Sequence, residues 1–371
     1  MVHMTELFQY RSITNQWLPR VQLTEKEAKS FSAIYGDILI ARRSIKLEGV
    51  AKPAIIENGN FPITFESSII RLRPDQKKIF PHFLFVFLES EEGRRQIRRI
   101  TRQVAISGVA GSDLSSVYVP VPPLPEQRKI AEILRTWDEA IENLEALRAA
   151  KQRRLAGITQ RLIGRGGAFP ARWALRPLSA VSTRIRRQNG GDSQPVMTIS
   201  AKSGFLMQSD KFARDMAGSS VERYILLHQG EFAYNKGNSL TAPYGCIFPL
   251  DRPTALVPFV YFCFALNKGL DHQFYSHLFA AGALNRQLSR LINSGVRNDG
   301  LLNLNVDDFF NCKVPVPPIE EQQQIAAALS AAKKELSLLD AEIDAVTRQK
   351  RGLMQKLLTG EWRVTPEPAV A

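Results

Sequence analysis

Cysteine is scarce in this 371-residue chain: Cys246, Cys263 and Cys312 are the only three, and no two form a C-x-x-C pair. That usage argues against a disulfide framework and a thiolate zinc site, and leaves small buried hydrophobes as the expected role. Long apolar runs are missing too. The longest, around Leu256 to Leu266, is too short to span a bilayer. The first residues, MVHMTELFQYRS, lack a basic flank leading into an apolar stretch, so no secretory leader and a cytoplasmic location are expected. Histidines number five, and His272 and His277 fall on a predicted helix without an acidic pair at ligating spacing. No G-x-x-x-x-G-K-[ST] phosphate loop, H-E-x-x-H metal helix or G-x-S-x-G nucleophile elbow occurs. The fragments Pro74 to Lys78 and Asp307-Asp308 through Lys313 resemble nuclease pieces but lack a second acidic residue in a strand context. The expectation is a chain with no catalytic residue, metal or cofactor of its own.

What the chain does have is a copy of itself. Val119-Pro-Val-Pro-Pro123 recurs as Val314-Pro-Val-Pro-Pro318, an offset of 195 residues. At the same offset Glu126-Gln127 matches Glu321-Gln322, Ile130-Ala131 matches Ile325-Ala326, and Gln160-Arg161-Leu162 answers Gln355-Lys356-Leu357. Each copy reads as a long helix. The proline-rich lead-in cannot be helical, acidic residues follow where a helix N-terminus favours negative charge, and Gly164 and Gly360 stand where a C-terminal cap wants positive φ.

Apolar residues in these helices step by four and three. In the first copy they are Ile130, Leu134, Trp137, Ile141, Leu144, Leu155, Ile158 and Leu162, interrupted by Arg148 and Lys151. In the second they are Ile325, Leu329, Ala332, Leu336, Leu339, Ile343, Val346, Leu353 and Leu357, interrupted by Lys350. A seven-residue stripe marks a coiled-coil seam. Each helix of roughly 38 residues would be about 57 Å long. Packing the two against each other as an antiparallel coiled coil is the economical way to bury both seams.

Four segments result: a globular part at 1–118, a helix at 119–164, a second globular part at 165–313, and a second helix with its tail at 314–371. The globular parts carry 17 basic against 12 acidic residues (+5) and 17 against 10 (+7), nearly all of the net +13. Both read as mixed α/β (α+β). Tyr35 to Ile40 is a turn feeding a strand, Ser68 to Arg73 alternates as a strand, and Pro81 to Arg102 suggests helices. In the second part, Gln229 to Ala233 answers the first turn, Phe259 to Leu266 suggests an apolar helix, and Leu284 to Ile292 a basic amphipathic one. Ser107-Gly-Val109 is matched by Ser294-Gly-Val296, so the two parts look like diverged copies with a pseudo-two-fold relation.

Basic clusters lie where phosphates or base edges could be met. In the first part these are Arg42, Arg43 and Lys46, then Arg94, Arg95, Arg98, Arg99 and Arg102, whose spacing of three and four suggests a shared helix face. In the second they are Arg184, Arg186 and Arg187, Asn235, Lys236 and Asn238, Arg286 and Arg290, and Arg297 with Asn298. Two basic domains tied to one helix pair favour double-stranded DNA as the partner. The competing reading is a coiled-coil scaffold whose basic domains bind an acidic protein or RNA.

Taken together, Pro122-Pro-Leu-Pro-Glu126-Gln127-Arg-Lys-Ile-Ala131, its copy Pro317 to Ala326, and the helix ends Lys151 to Gly164 and Arg348 to Gly360 resemble the specificity subunit of a type I restriction-modification system. The resemblance covers essentially the whole chain. It implies two target-recognition domains that each read half of a bipartite DNA sequence. It also implies helices that dock two modification (methyltransferase) subunits, with restriction/translocase subunits completing the complex. S-adenosylmethionine, ATP and Mg are then expected on those partners. Phe169 to Leu178 is similar to the family's Trp-containing leading strand, and residues 1–10 hold no counterpart. Glu361-Trp362-Arg363, after the second helix, parallels Ala171-Arg172-Trp173 after the first and suggests a pseudo-circular arrangement.

Overall fold

A computed structural model describes residues 1–371 except 15, 58–61, 103–105, 165–167, 191–193, 212–221, 238–241, 293–300 and 366–371, and without the side chains of 210 and 211. Two compact units are present, Met1–Leu147 with Asp340–Ala371, and Arg148–Leu339. Each combines one globular part with a stretch of both long helices, which run over Leu124–Leu162 and Ile319–Leu358. Gly164 and Gly360 terminate them at φ +104° and +78°, values that side chains with a Cβ rarely adopt.

In the first unit a four-stranded sheet runs in the order Ser12–Ile13, Pro53–Ile56, Ile38–Ala41, Ile69–Leu72, its first pair parallel and the others antiparallel. Ile38-Leu39-Ile40-Ala41 is apolar throughout because both faces are covered. Ile38 and Ile40 meet the apolar helix Pro81–Glu89, while Leu39 and Ala41 join a second core with Val2, Leu7 and Ile13. The first of these cores also takes in Ile130 and Leu134 from one long helix and Leu357 and Leu358 from the other. Helix and domain therefore share a core.

The second unit repeats this plan with an antiparallel sheet in the order Cys246–Pro249, Phe232–Asn235, Phe262–Leu266, Ser182–Ile185. Phe232, Tyr234, Phe262 and Phe264 pack toward helix His272–Ala280, in one core with Ile163, Trp173, Ile325, Ala326 and Leu329. Residues 262–266 form a strand, correcting the helix expected over 259–266. A short apolar run carries no period, and here aromatic residues and a central place in the sheet decide for β. Cys263 and Cys312 are buried and Cys246 is half-buried; burial pushes the Cys312 thiol up to about 11. The counterpart Ser294-Gly-Val296 lies outside the described residues.

Within each unit the long helices run antiparallel. In the first, Glu126 bonds Arg363 while Asp138 pairs with Lys350. In the second, Lys151 pairs with Glu335 while Leu155, Ile158 and Leu162 pack against the core that holds Ile325 and Leu329. Of the seam positions, Ile130, Leu134, Ile325, Leu329, Leu339, Ile343 and Leu357 are buried; Trp137, Ile141, Leu144, Leu155, Ile158, Leu162, Leu336, Val346 and Leu353 are half-buried. Two of the charged residues interrupting the stripe, Lys151 and Lys350, are spent on ion pairs between the helices.

The repeated Glu-Gln pair explains itself at this level. Gln127 is fully buried: its Oε1 accepts from Phe80 N at 2.7 Å, and its Nε2 donates to the carbonyls of Lys78 and Pro122 at 3.0 and 2.7 Å. Gln322 does the same work, accepting from Asp271 N at 2.9 Å and donating to Pro317 O at 2.8 Å. Each glutamine thus ties the start of a long helix to the loop that opens its domain's apolar helix. Its neighbour glutamate receives the segment that follows the other helix. Glu126 accepts from Arg363 Nε and Nη2 at 2.8 and 2.7 Å and from Val364 N at 3.1 Å, bonds that hold its carboxyl below the usual range. Glu321 pairs with Arg172 and accepts from Trp173 Nε1 at 3.1 Å. In the second unit the same segment continues as strand Ala174–Pro177, paired antiparallel with Lys313–Val316.

Gln127→Leu removes three hydrogen bonds from a buried site and strands their backbone partners, so it should cost about 2–4 kcal/mol; a lower urea midpoint with unchanged slope checks this. A second expectation concerns His277, buried with Nε2 2.9 Å from Ser330 Oγ. Burial, then the nearby Lys333, lowers its pKa to about 4 from an ordinary 6.5. The neutral ring is the form that fits, so its contribution is whole above pH 6.5 and is lost as pH falls toward 4. Thermal unfolding of the wild-type chain should weaken over that window, and His277→Gln should show a flatter profile.

Candidate nucleic-acid interface

A two-stranded antiparallel ribbon stands at the basic edge of the first domain. Arg43–Ser44 pairs with Ser107–Gly108 in the register Arg43 to Gly108 and Ser44 to Ser107. Arg102 bridges the other side of Gly108, exchanging backbone hydrogen bonds of 3.0 and 3.1 Å. This local pairing brings Arg42, Arg43 and Arg102, distant in sequence, around one shallow concavity. Gly108 lies beneath them, and a Cβ there would sit 3.3 Å from the Arg42 carbonyl. Arg42, Arg43 and Lys46 are exposed. Among the described residues, the exposed side chain of Arg102 has a long ion pair to Asp113 at 3.5 Å.

The helix Glu91–Ile100 does not present the shared guanidinium face its spacing suggested. Arg94 turns inward and donates to the carbonyls of Ala51 and Glu48 at 3.2 and 2.7 Å, and burial, reinforced by Arg98, lowers its pKa. Arg95 is paired with Glu92, and Arg98 with Glu91 at 2.6 Å. Arg99 is exposed, and Arg102 lies beyond the helix end.

In the second domain, Arg184 lies on the sheet's outer strand and Arg186 just past its end, and both are exposed. Desolvation first and the like charge of Arg186 second lower the pKa of Arg184, with Asp307 opposing them. Arg187 is instead bound to Glu231 at 2.7 Å. Asn235 spends its amide internally, donating to Ile199 O at 3.1 Å and accepting from Gly237 N at 2.9 Å. Lys236 is half-buried with its ammonium 5.4 Å from the centre of the Phe262 ring. Arg286 and Arg290 are exposed on helix Asn285–Leu291, which buries Leu288, and Gln287 anchors that helix to both backbone groups of Lys313. Arg297, Asn298 and Asn238 lie outside the described residues.

Sequence reasoning missed two features. Arg11 bonds Glu89 at 2.8 Å and Asp138 at 2.7 Å, and Asp138 in turn holds Lys350; burial opposes the Arg11 charge, yet these carboxylates keep its pKa raised. A lone arginine gave no signal of that network. Ile45 and Ile106, 86% and 53% exposed beside the ribbon, also went unread, because an isoleucine in a sequence reads as core. Among the described residues no group of three His, Cys, Asp or Glu side chains is placed to hold a metal, and no helix is long and apolar enough to cross a membrane.

Comparison with known proteins accords with this architecture. Residues 11–151 and 185–348 match the family described as type I restriction modification DNA specificity domain. The chain is 23% identical over 369 residues to a putative type I restriction enzyme MjaX specificity subunit of Methanocaldococcus jannaschii, covering 92% of this chain and 82% of that protein. It is 21% identical over 357 residues to the EcoKI specificity subunit of Escherichia coli, covering 88% and 76%. Among solved structures, the type I restriction-modification S subunit of M. genitalium matches with a TM-score of 0.51 at 15% identity over 94% of this chain and 88% of that one. A chain from a study of complex assembly in a type I restriction-modification system gives 0.54 at 17% identity, covering 89% and 83%. With two copies of the matching domain, each joined to the long helices by the same Glu-Gln pair, the chain belongs to the type I restriction-modification specificity-subunit family.

Proposed function

We propose that this chain is the sequence-specific DNA-binding subunit of a type I restriction-modification complex, reading a bipartite target with one half assigned to each domain. The observation that carries the reading is that each unit joins a domain with exposed arginines to the long helices through the same buried glutamine and its neighbouring glutamate. Arg42, Arg43, Lys46 and Arg102 serve the first domain, and Arg184, Arg186, Arg286 and Arg290 the second. Arg94 and Asn235, whose polar atoms are engaged internally, act as braces. The tail residues Arg363 and Val364 take at Glu126 the place that Arg172 and Trp173 take at Glu321, which supports a first domain able to read DNA despite the missing counterpart in residues 1–10.

The chain itself performs recognition and no reaction. Two modification subunits dock on exposed surface of the long helices; on the first of these, exposed Glu132, Glu139 and Glu142 line a cavity shared with the first domain. Those subunits bring S-adenosylmethionine, and the restriction/translocase subunits bring ATP and Mg. A cytoplasmic location follows from the DNA target.

Co-expression with the modification subunit and sequencing of methylated random DNA should return a two-part motif with a fixed gap; a single half-target, or no complex, contradicts the proposal. Arg43→Ala and Arg286→Ala should each weaken binding about three- to tenfold and reduce the slope of log affinity against log salt by about one. Titrations at several salt concentrations check this, with Arg94→Ala expected to act on stability instead.

A further inference from the structure

The ribbon of the first domain carries an apolar tip. Ile45 follows Ser44 and Ile106 precedes Ser107, the last pair of the ribbon, at the same end of it. Both line one concavity of about 580 Å³, floored in part by Met4 and Phe8. Ile45 is 86% exposed, between the exposed cations Arg43 and Lys46. Solvent exposure of two adjacent isoleucines is unfavourable, and their setting is not one that an apolar protein partner would match. Arg43, Lys46 and Lys52 line the same concavity against a single acid, Glu48, and Lys52 is held by the Phe8 carbonyl at 2.6 Å. Arg42 and Arg102 add charge on the adjoining side. Apolar tip and cationic rim together fit a surface with anionic edges and an apolar feature between them.

The geometry points to Ile45 and Ile106 as a specificity-determining pair that packs on the C5-methyl group of a thymine in the major groove. That groove admits a two-stranded ribbon, and thymine is the one base that presents a methyl group there, between phosphate backbones that Arg43 and Lys46 can reach. The inference rests on the DNA-binding reading above and deepens it, giving the first half-target at least one thymine read by apolar contact.

The test uses the full chain and duplexes carrying its selected target, with each thymine replaced in turn by uracil, which lacks only the methyl. For the wild-type chain, one or two positions in one half-target should lose about three- to tenfold in affinity on replacement. Ile45→Ser and Ile106→Ser should bind thymine and uracil duplexes equally at those positions, with thermal stability unchanged, and Ile45→Leu should restore part of the difference. A first half-target with no uracil-sensitive position overturns the inference, as does a uracil penalty that persists in both serine variants. A loss of affinity for all duplexes alike would make the pair a wedge at a base step and also overturn it. Arg42→Ala/Arg43→Ala separates the two levels. If it weakens binding while the isoleucine variants do not, only this inference fails; if neither matters, the DNA-binding reading of the first domain fails with it.

Discussion

The start of each long helix is the point on which the structure depends. A buried glutamine there must satisfy its own amide, and it does so by holding the backbone that opens the neighbouring domain's apolar helix. The glutamate one residue earlier lies in the first turn, where the helix dipole favours its charge, and collects an arginine from the segment after the other helix. Two adjacent residues thus fix three pieces of chain. The glutamine could not be apolar without leaving backbone groups unpaired.

Shared cores follow from that anchoring. Ile130, Leu134, Leu357 and Leu358 belong to the first domain's core, and Ile163, Ile325 and Leu329 to the second's. A seam that alternates buried with half-buried positions would hold two helices together only modestly. Extending it into the domains makes rigid mounts of the helix ends, and a reading surface on a rigid mount can be positioned without new contacts of its own.

Much of this was legible in the residues. The offset of 195, the glycine caps and the heptad located both helices to within a few residues, because periodicity over forty residues is hard to mistake. The parallel drawn between Glu361-Trp362-Arg363 and Ala171-Arg172-Trp173 found its physical basis in the two glutamates they reach. The strand at Phe262–Leu266 was read as helix because five apolar residues in a row fit either state.

The candidate site was less legible. Arginine spacing showed that cations were abundant, but could not show which would be spent. Arg94 finds two backbone carbonyls, Arg95 and Arg98 find glutamates on their own helix, and Asn235 finds a strand. The sequence by itself determined the duplication, the basic character of both domains and the helices that join them, since these are properties of composition and period. Only the tertiary structure decided which side chains remain available to a partner. That choice turns on through-space neighbours such as Gly108 between Arg43 and Arg102, which lie more than fifty residues apart along the chain.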